Sequence, residues 1–431
     1  MKQSFDRSST AEPAKAAEVN SSQFLGRTFS SLRHVNFRYL WLGTLFMAAG
    51  QWIQQITLGW LLYDLTGSSI LLGVLNGLRV LPFLIASPIA GVAADRMNRR
   101  KLIITTQYIL LTTALAMGTL VASGHLQIWH LFVFTVLTGI AWAFADPVRQ
   151  SVIPNLVPKS DLMNAVALNS AAFNLTKVIG PSLGGLLILW FGVAGNFFVQ
   201  SAAYVGVLLS MCWIEIPPTP GEARRSSAIS NLKEGWLYVW RNPTVFALMT
   251  AALVPRIFAM PYQTLMPVFQ KDVLGVGPEG LGLMLAAPGV GAMVAGLLLA
   301  TLADRIRHQG LFMLGSLILL GFMMNVFSWN RSLPLALLSL VGVGVFQIFY
   351  MATTHTMLQL IVPDHLRGRV MSFYALDRGL MPLGALIAGV SAHYIGAPAT
   401  VSYMGITVMM LALLVAWRAP VVRRLGLSEG L

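Results

Sequence analysis

The sequence predicts an all-α membrane protein of twelve transmembrane helices arranged as two six-helix, pseudo-symmetric bundles. Three observations predict it. Hydrophobic residues make up 56% of the 431 residues and charged residues only 10%, with a mean hydropathy of +0.70. A soluble domain carries about 25% charged residues, so this chain cannot solvate its own surface. The apolar residues also fall into runs that reach the roughly 20 residues a membrane span requires, and the basic residues gather on one side of those runs.

Taken in order, apolar runs over 38–63, 69–94, 102–123, 128–149, 162–189 and 194–214 predict six spans. Six more follow over 242–270, 280–303, 310–328, 333–361, 367–392 and 398–417. Residues 1–25 are polar and rich in Ser and Ala, without the apolar core of a signal peptide, and are expected to form a disordered cytoplasmic tail. The first bundle then occupies 26–214. Residues 215–241 read as a linker: Pro, Gly, Ser and Arg dominate its start, and Ile229, Leu232, Leu237 and Trp240 suit an amphipathic helix lying on the membrane surface. The second bundle takes 242–418, and 419–431 form a second cytoplasmic tail.

The formal charge of +13 sets topology rather than a nucleic-acid partner. With the N-terminus inside, nearly all of the 29 Lys and Arg residues lie on the cytoplasmic side. Only Lys271 and Arg331 fall outside, and Arg79, Lys177, Arg256 and Arg378 fall within spans. Such asymmetry orients multi-span proteins, and here it places both termini in the cytoplasm. The single cysteine, Cys212, lies in an apolar run and is expected to serve packing.

The densest charge sits in GVAADRMNRRK (Gly91 to Lys101), a tight basic turn between two apolar runs. A second-half counterpart, ATLADRIRHQG (Ala300 to Gly310), points to internal duplication. So does VPKSDLMNAVAL (Val157 to Leu168), which aligns without gaps on VPDHLRGRVMSF (Val362 to Phe373). These turns resemble the signature loop of the major facilitator superfamily, with Gly91, Asp95, Arg96, Arg99 and Arg100 at the matching positions and Asp304 and Arg305 in the second copy. Asn98 stands where that family usually has Gly, and Asn is expected to preserve the turn because it tolerates a left-handed backbone. FRYLWLG (Phe37 to Gly43), GWLLYDLTGSS (Gly59 to Ser69), ADPVRQSVIP (Ala145 to Pro154), NLTKVIGPSLGG (Asn174 to Gly185) and VPDHLRGRVMS (Val362 to Ser372) narrow the resemblance. Together they are similar to the bacterial exporter branch of enterobactin-exporter and macrolide-efflux (drug/proton antiporter) type. Gln51 stands where an enterobactin exporter is expected to carry an acid.

Ions inside hydrocarbon are costly, about 2.5–3.5 kcal/mol each on insertion scales. Five stand near mid-span: Arg79, Lys177, Arg256, Asp377 and Arg378. Charge is absent from the third, sixth, ninth and twelfth spans, which the resemblance implies face lipid. A substrate cavity is therefore expected near the midplane among Gln51, Gln54, Gln55, Asn76, Arg79, Lys177, Arg256, Asp377 and Arg378. Interhelical hydrogen bonding is the competing role for the three glutamines, and helix packing for Lys177. Asp377 is the one mid-depth acid and is expected to be either the proton-coupling site or a salt-bridge partner of Arg79 or Arg256, since desolvation and a neighbouring cation pull its pKa in opposite directions. The resemblance implies that Asp95 braces a cytoplasmic gate at the start of the eleventh helix, where a helix N-terminus favours negative charge. Asp146 and Arg149 lie at the same depth and are expected to complete a network with Arg96 and Arg99.

No cofactor is expected. His355 and His393 lack metal-ligand spacing, and the glycines of GPSLGG and GVGAMVAG (Gly289 to Gly296) lie in apolar spans without a phosphate-loop pattern. They suit close helix approach or a hinge. The expected function is export of a siderophore- or drug-like molecule from a bacterial cytoplasm, across the inner membrane, by a monomer exchanging it for protons. Import or lipid translocation on the same fold is the alternative, and a non-transporting scaffold or sensor a more distant one. An enzyme would need a nucleophile–base pair or metal cluster that the sequence does not offer.

Overall fold

The computed structural model describes residues 29–214, 236–302, 305–375 and 379–425, and among them every regular element is helical. A 3-10 turn (Ser30–Arg33) leads into α1 (Val35–Thr66), α2 (Ser69–Arg96), α3 (Arg99–Ala122), α4 (Ile128–Leu156) and α5 (Leu162–Cys212). After the linker come α6 (Pro243–Phe258), α7 (Pro278–Leu302), α8 (Gln309–Trp329) and α9 (Leu333–Ile361). They are followed by α10 (Asp364–Ala375), α11 (Met381–Ile395), α12 (Ala397–Arg418) and a short α13 (Pro420–Arg424). Eight segments of the described residues are both long and apolar enough to cross a membrane.

Local chemistry explains the boundaries. Gly67 ends α1 in a left-handed conformation (φ 58°) with its N–H on the Tyr63 carbonyl, a geometry that suits Gly. Ser68 and Asn242 cap α2 and α6, accepting from Leu71 N–H and from Thr244 and Val245 N–H, as short polar side chains do at helix starts. The break expected between 189 and 194 occurs at Gly192 (φ 68°, ψ −178°), which folds α5 into two arms. A side chain there would be strained, so Gly is needed.

Three differences from expectation stand out. First, α4 runs on through Pro147 and Pro154 to Leu156, beyond the expected end at 149. Proline inside a membrane helix is tolerated where neighbouring groups re-satisfy the freed backbone. Second, the expected seventh span does not stay α-helical: past Phe258 it tightens into a 3-10 turn (Met260–Leu265), makes one helical turn (Met266–Val268) and widens into a π-turn (Phe269–Val273). Pro255, Pro261 and Pro267, six residues apart, remove hydrogen bonds at regular intervals along it. Third, Pro420–Arg424, expected within a cytoplasmic tail, docks on the start of α8, where Gly310 N–H donates to the Leu425 carbonyl at 3.1 Å and Val422 is fully buried.

The helices form two groups. In the first, α1 packs along α5, α2 on α4, and α3 on both α4 and α5; in the second, α8 packs on α9 and α12, and α7 on α9. Two seams join the groups, α2 against α11 and α5 against α7. Both are built on glycine pairs. A Cβ on Gly73 would meet Gly389 Cα at 3.3 Å, and one on Gly185 would meet Gly282 Cα at 3.2 Å, so bare backbones touch, as small residues allow between membrane helices. The close approach expected of GPSLGG is therefore met by α7.

Candidate functional site

Both seams are tight at one end of the molecule and open toward the other. On α7, Gly282, Gly289 and Gly296 are seven residues apart and share a face. A Cβ at Gly282 would meet the Pro181 carbonyl at 2.6 Å, and one at Gly289 the Val178 side chain at 2.9 Å, whereas one at Gly296 would meet nothing within 4 Å. Along α2 the contacts to α11 at Gly73 and Gly77 give way to Leu81 and Ile85, which are 48% and 65% exposed. The closed end carries the Gly67 and Gly396 turns; the open end carries the basic hairpin between α2 and α3.

At the closed end, further bonds cross between the two groups. Tyr63 Oη donates to Asp272, Lys271 Nζ lies 2.8 Å from Asp64, and Ser69 Oγ donates to the Gly389 carbonyl at 2.9 Å. A cavity of about 490 Å³ lies beside them, lined by Tyr63, Ser69, Asp272, Trp329, Arg331 and His393 among others.

Where the seams begin to part, a small void of about 20 Å³ gathers Gln55 and Asn76 from the first group with Gln263 and Thr264 from the second. Its remaining wall is apolar, including Ile56, Leu72, Pro267, Leu281 and Leu285. One turn further toward the open end, Arg79 Nη1 donates to Gln55 Oε1 at 3.0 Å. Asn76 also donates to the Leu72 carbonyl within its own helix. Lys177 on α5 and Arg256 on α6 stand within electrostatic reach of one another.

The sequence-predicted residues thus divide. Gln55 and Asn76 line the same void and Arg79 bonds to Gln55, while Lys177 and Arg256 interact with one another. Gln51 is half-buried on α1. Gln54 is 4% exposed and is held inside the first group, donating to Thr138 Oγ1 at 2.9 Å and accepting from Gln200 at 3.1 Å. Asp377 and Arg378 lie outside the described residues. Sequence reasoning missed Gln263 and Thr264, whose exposure to the void comes from the 3-10 turn at Met260–Leu265; the evenly spaced prolines were the available signal.

The basic hairpin is organised differently from expectation. Gly91, Asp95 and Arg96 lie in the last turns of α2, their side-chain placement being outside what the structure describes, as is Asp304; Arg305 is exposed. Asn98 does not adopt a left-handed backbone. It has φ −62° and ψ 113° and caps α3 by accepting from Lys101 N–H at 3.2 Å, so its side-chain oxygen, rather than a glycine-like torsion, makes the turn. Arg99 donates to the Ser151 carbonyl, and Arg100 to the carbonyls of Met211 and Cys212. Cys212 is therefore an exposed helix-end residue, not the packed one expected. Arg149 is buried, with Asp146 at 3.7 Å. It donates to Thr44 at 2.7 Å and Asn169 at 3.2 Å and stacks over Phe173 at 4.6 Å. Near the same end, Asp161 accepts from Ser30 and pairs with His34 at 2.8 Å; these bonds hold its carboxyl below the usual range. No cluster able to hold a metal occurs among the described residues.

Residues 26–425 match a family model described as transmembrane secretion effector. The chain belongs to the major facilitator superfamily. A staphyloferrin A transporter of Staphylococcus aureus is 26% identical, over 87% of this chain and 94% of that one. A multidrug efflux pump, Tap, of Mycolicibacterium fortuitum is 27% identical, over 88% and 95%. Among solved structures, an inward-facing, occupied bacterial homologue of the human lysosomal transporter Spinster superposes with a TM-score of 0.71 at 15% identity, covering 90% of this chain and 98% of that one. This facilitator is a transporter and not an enzyme, and a multi-pass protein of the bacterial inner membrane. The resemblance read from its loop motifs holds along nearly its whole length.

Proposed function

We propose that this facilitator exports small organic molecules from the cytoplasm by alternating access, in exchange for protons. One observation carries the reading: two helix groups meet along glycine seams that are tight at one end and part toward the other, with Gln55, Asn76, Gln263 and Thr264 gathered between them. Twelve spans with both termini inside give the simplest topology, counting the two arms of α5 as two spans, the broken α6 segment as one, and α10 with α11 as one. The one-sided distribution of Lys and Arg supports a cytoplasmic open end, which makes the conformation inward-facing. The cation Arg79, held on Gln55 between the two groups, supports a ligand that brings negative charge or hydrogen-bond acceptors, as siderophores do. Asp377 is the proposed proton site and Asp95 the proposed brace of the cytoplasmic gate.

The test is flux through the full chain in proteoliposomes under an imposed pH gradient, with staphyloferrin A and a macrolide as probes. Uptake into inside-out vesicles that collapses with the gradient supports proton-driven export. Arg79→Met is expected to lower flux of the anionic probe at unchanged protein level, and Asp377→Asn to uncouple flux from the gradient. Gradient-independent movement would overturn the antiport reading, and movement only in the opposite direction would overturn export.

A further inference from the structure

Two adjacent residues at the end of α1, Tyr63 and Asp64, each grip one of two adjacent residues in the second group, Asp272 and Lys271. Lys271 and Asp272 both lie in the π-turn Phe269–Val273, a rare wide turn that recurs at functional sites. Its C-terminal side is pinned: Leu274 N–H donates to the Phe269 carbonyl at 2.9 Å and Val276 N–H to the Gln270 carbonyl at 3.0 Å. Tyr63 and Asp272 both line the 490 Å³ cavity of the closed end, together with Arg331 and His393, so water reaches their bond from that side although little of Tyr63 itself is exposed.

We propose that the Tyr63–Asp272 hydrogen bond is the principal catch of the gate on the closed side of the pathway, with Asp64–Lys271 as a secondary one. The assignment rests on the alternating-access reading. Magnitudes rank the two contacts. Lys271 and Asp64 are 46% and 44% exposed, and an exposed ion pair contributes little, at most about fivefold in an equilibrium. A hydrogen bond to a charged group contributes more, and because water can still reach Asp272 the lower end applies, about tenfold. The uncharged donor, Tyr63, therefore matters more than the salt bridge.

Spin labels at Leu65→Cys and Leu335→Cys, both exposed and at the closed ends of different groups, report on this gate in a Cys212→Ser background. A second pair, Met97→Cys and Arg305→Cys, reports on the basic end. Dipolar spectroscopy on the full chain in nanodiscs is expected to show a rise of about tenfold in the long-distance population for Tyr63→Phe, and no more than about fivefold for Lys271→Met. The double variant should reach about fiftyfold, enough to show even where a single change is too small to detect. An exchanged pair, Asp64→Lys with Lys271→Asp, should restore the Lys271→Met loss. Unchanged closed-end distances in the double variant overturn the gate, and a larger effect of Lys271→Met than of Tyr63→Phe overturns the ranking. Opening of the closed end without shortening at the basic end leaves the catch standing but refutes alternating access.

Discussion

Replacing Gly282 and Gly296 by alanine compares two chemically identical changes on one face of α7. At Gly282 the new methyl would stand 2.6 Å from the Pro181 carbonyl oxygen, 3.2 Å from Ser182 Cα and 3.3 Å from Gly185 Cα. All three obstacles are backbone atoms, so no rotamer change relieves them and the helices must move apart. Overpacking of this kind costs about 1–3 kcal/mol. At Gly296 the methyl meets nothing within 4 Å. Both changes gain up to about 1 kcal/mol of helix propensity, but that gain is shared by every state in which α7 is helical and cancels between them. The steric cost falls only on the state with the seam shut, so Gly282→Ala should shift the population toward the opposite state by roughly five- to 150-fold. Gly296→Ala should leave it unmoved. Dipolar distances across the closed end measure both. If the two variants behave alike, the seam does not work as a state-dependent contact.

Three further outcomes are expected. Asn98→Ala removes the cap of α3 and should cost about 1 kcal/mol, whereas Asn98→Gly should cost only a few tenths; thermal unfolding in detergent ranks them, and glycine would have to be the stabilising choice if a left-handed torsion mattered. Protection of the Ser30–Arg33 amides, corrected for intrinsic exchange rates, should show an acid step that lies below the ordinary carboxylate value of 3.8. Because the Asp161 pKa is depressed in the fold, its contribution is lost only as pH falls through that lower value, and Asp161→Asn should abolish the step. Finally, an impermeant maleimide should label Cys212 in inside-out vesicles and spare it in right-side-out ones; the reverse pattern would invert the topology.

Much of this fold was legible because membrane insertion forces its signals into the sequence. Long apolar runs, a basic hairpin and the Trp190–Val193 interruption marked the helices and the break at Gly192. The midplane was harder to read. Polar residue type alone could not separate Gln54, buried among Thr138 and Gln200, from Gln55, its neighbour on the pocket, since adjacent helical positions face different surroundings. Gln263 and Thr264 reach the pocket through a change of helix type, which depends on the cumulative effect of three prolines rather than on any single motif. Asn98 was read by torsional tolerance when its hydrogen-bonding oxygen was what mattered. Cys212 looked like core because it ends an apolar run, and a helix terminus exposes what its interior hides.

Thr138, Gln54, Gln200 and Tyr204 form a continuous relay of hydrogen bonds through α4, α1 and the second arm of α5, and Asn196 adds a rung from that arm to Thr57 and Gly184. Sliding any of these helices past another would strand amides in a dry interior, where each orphaned group costs about 1–3 kcal/mol. The first half is thereby cross-braced like a truss. Rods α1, α4 and the second arm of α5 cannot shear separately, and under the proposed alternating access they would swing as one piece about the glycine-lined joints.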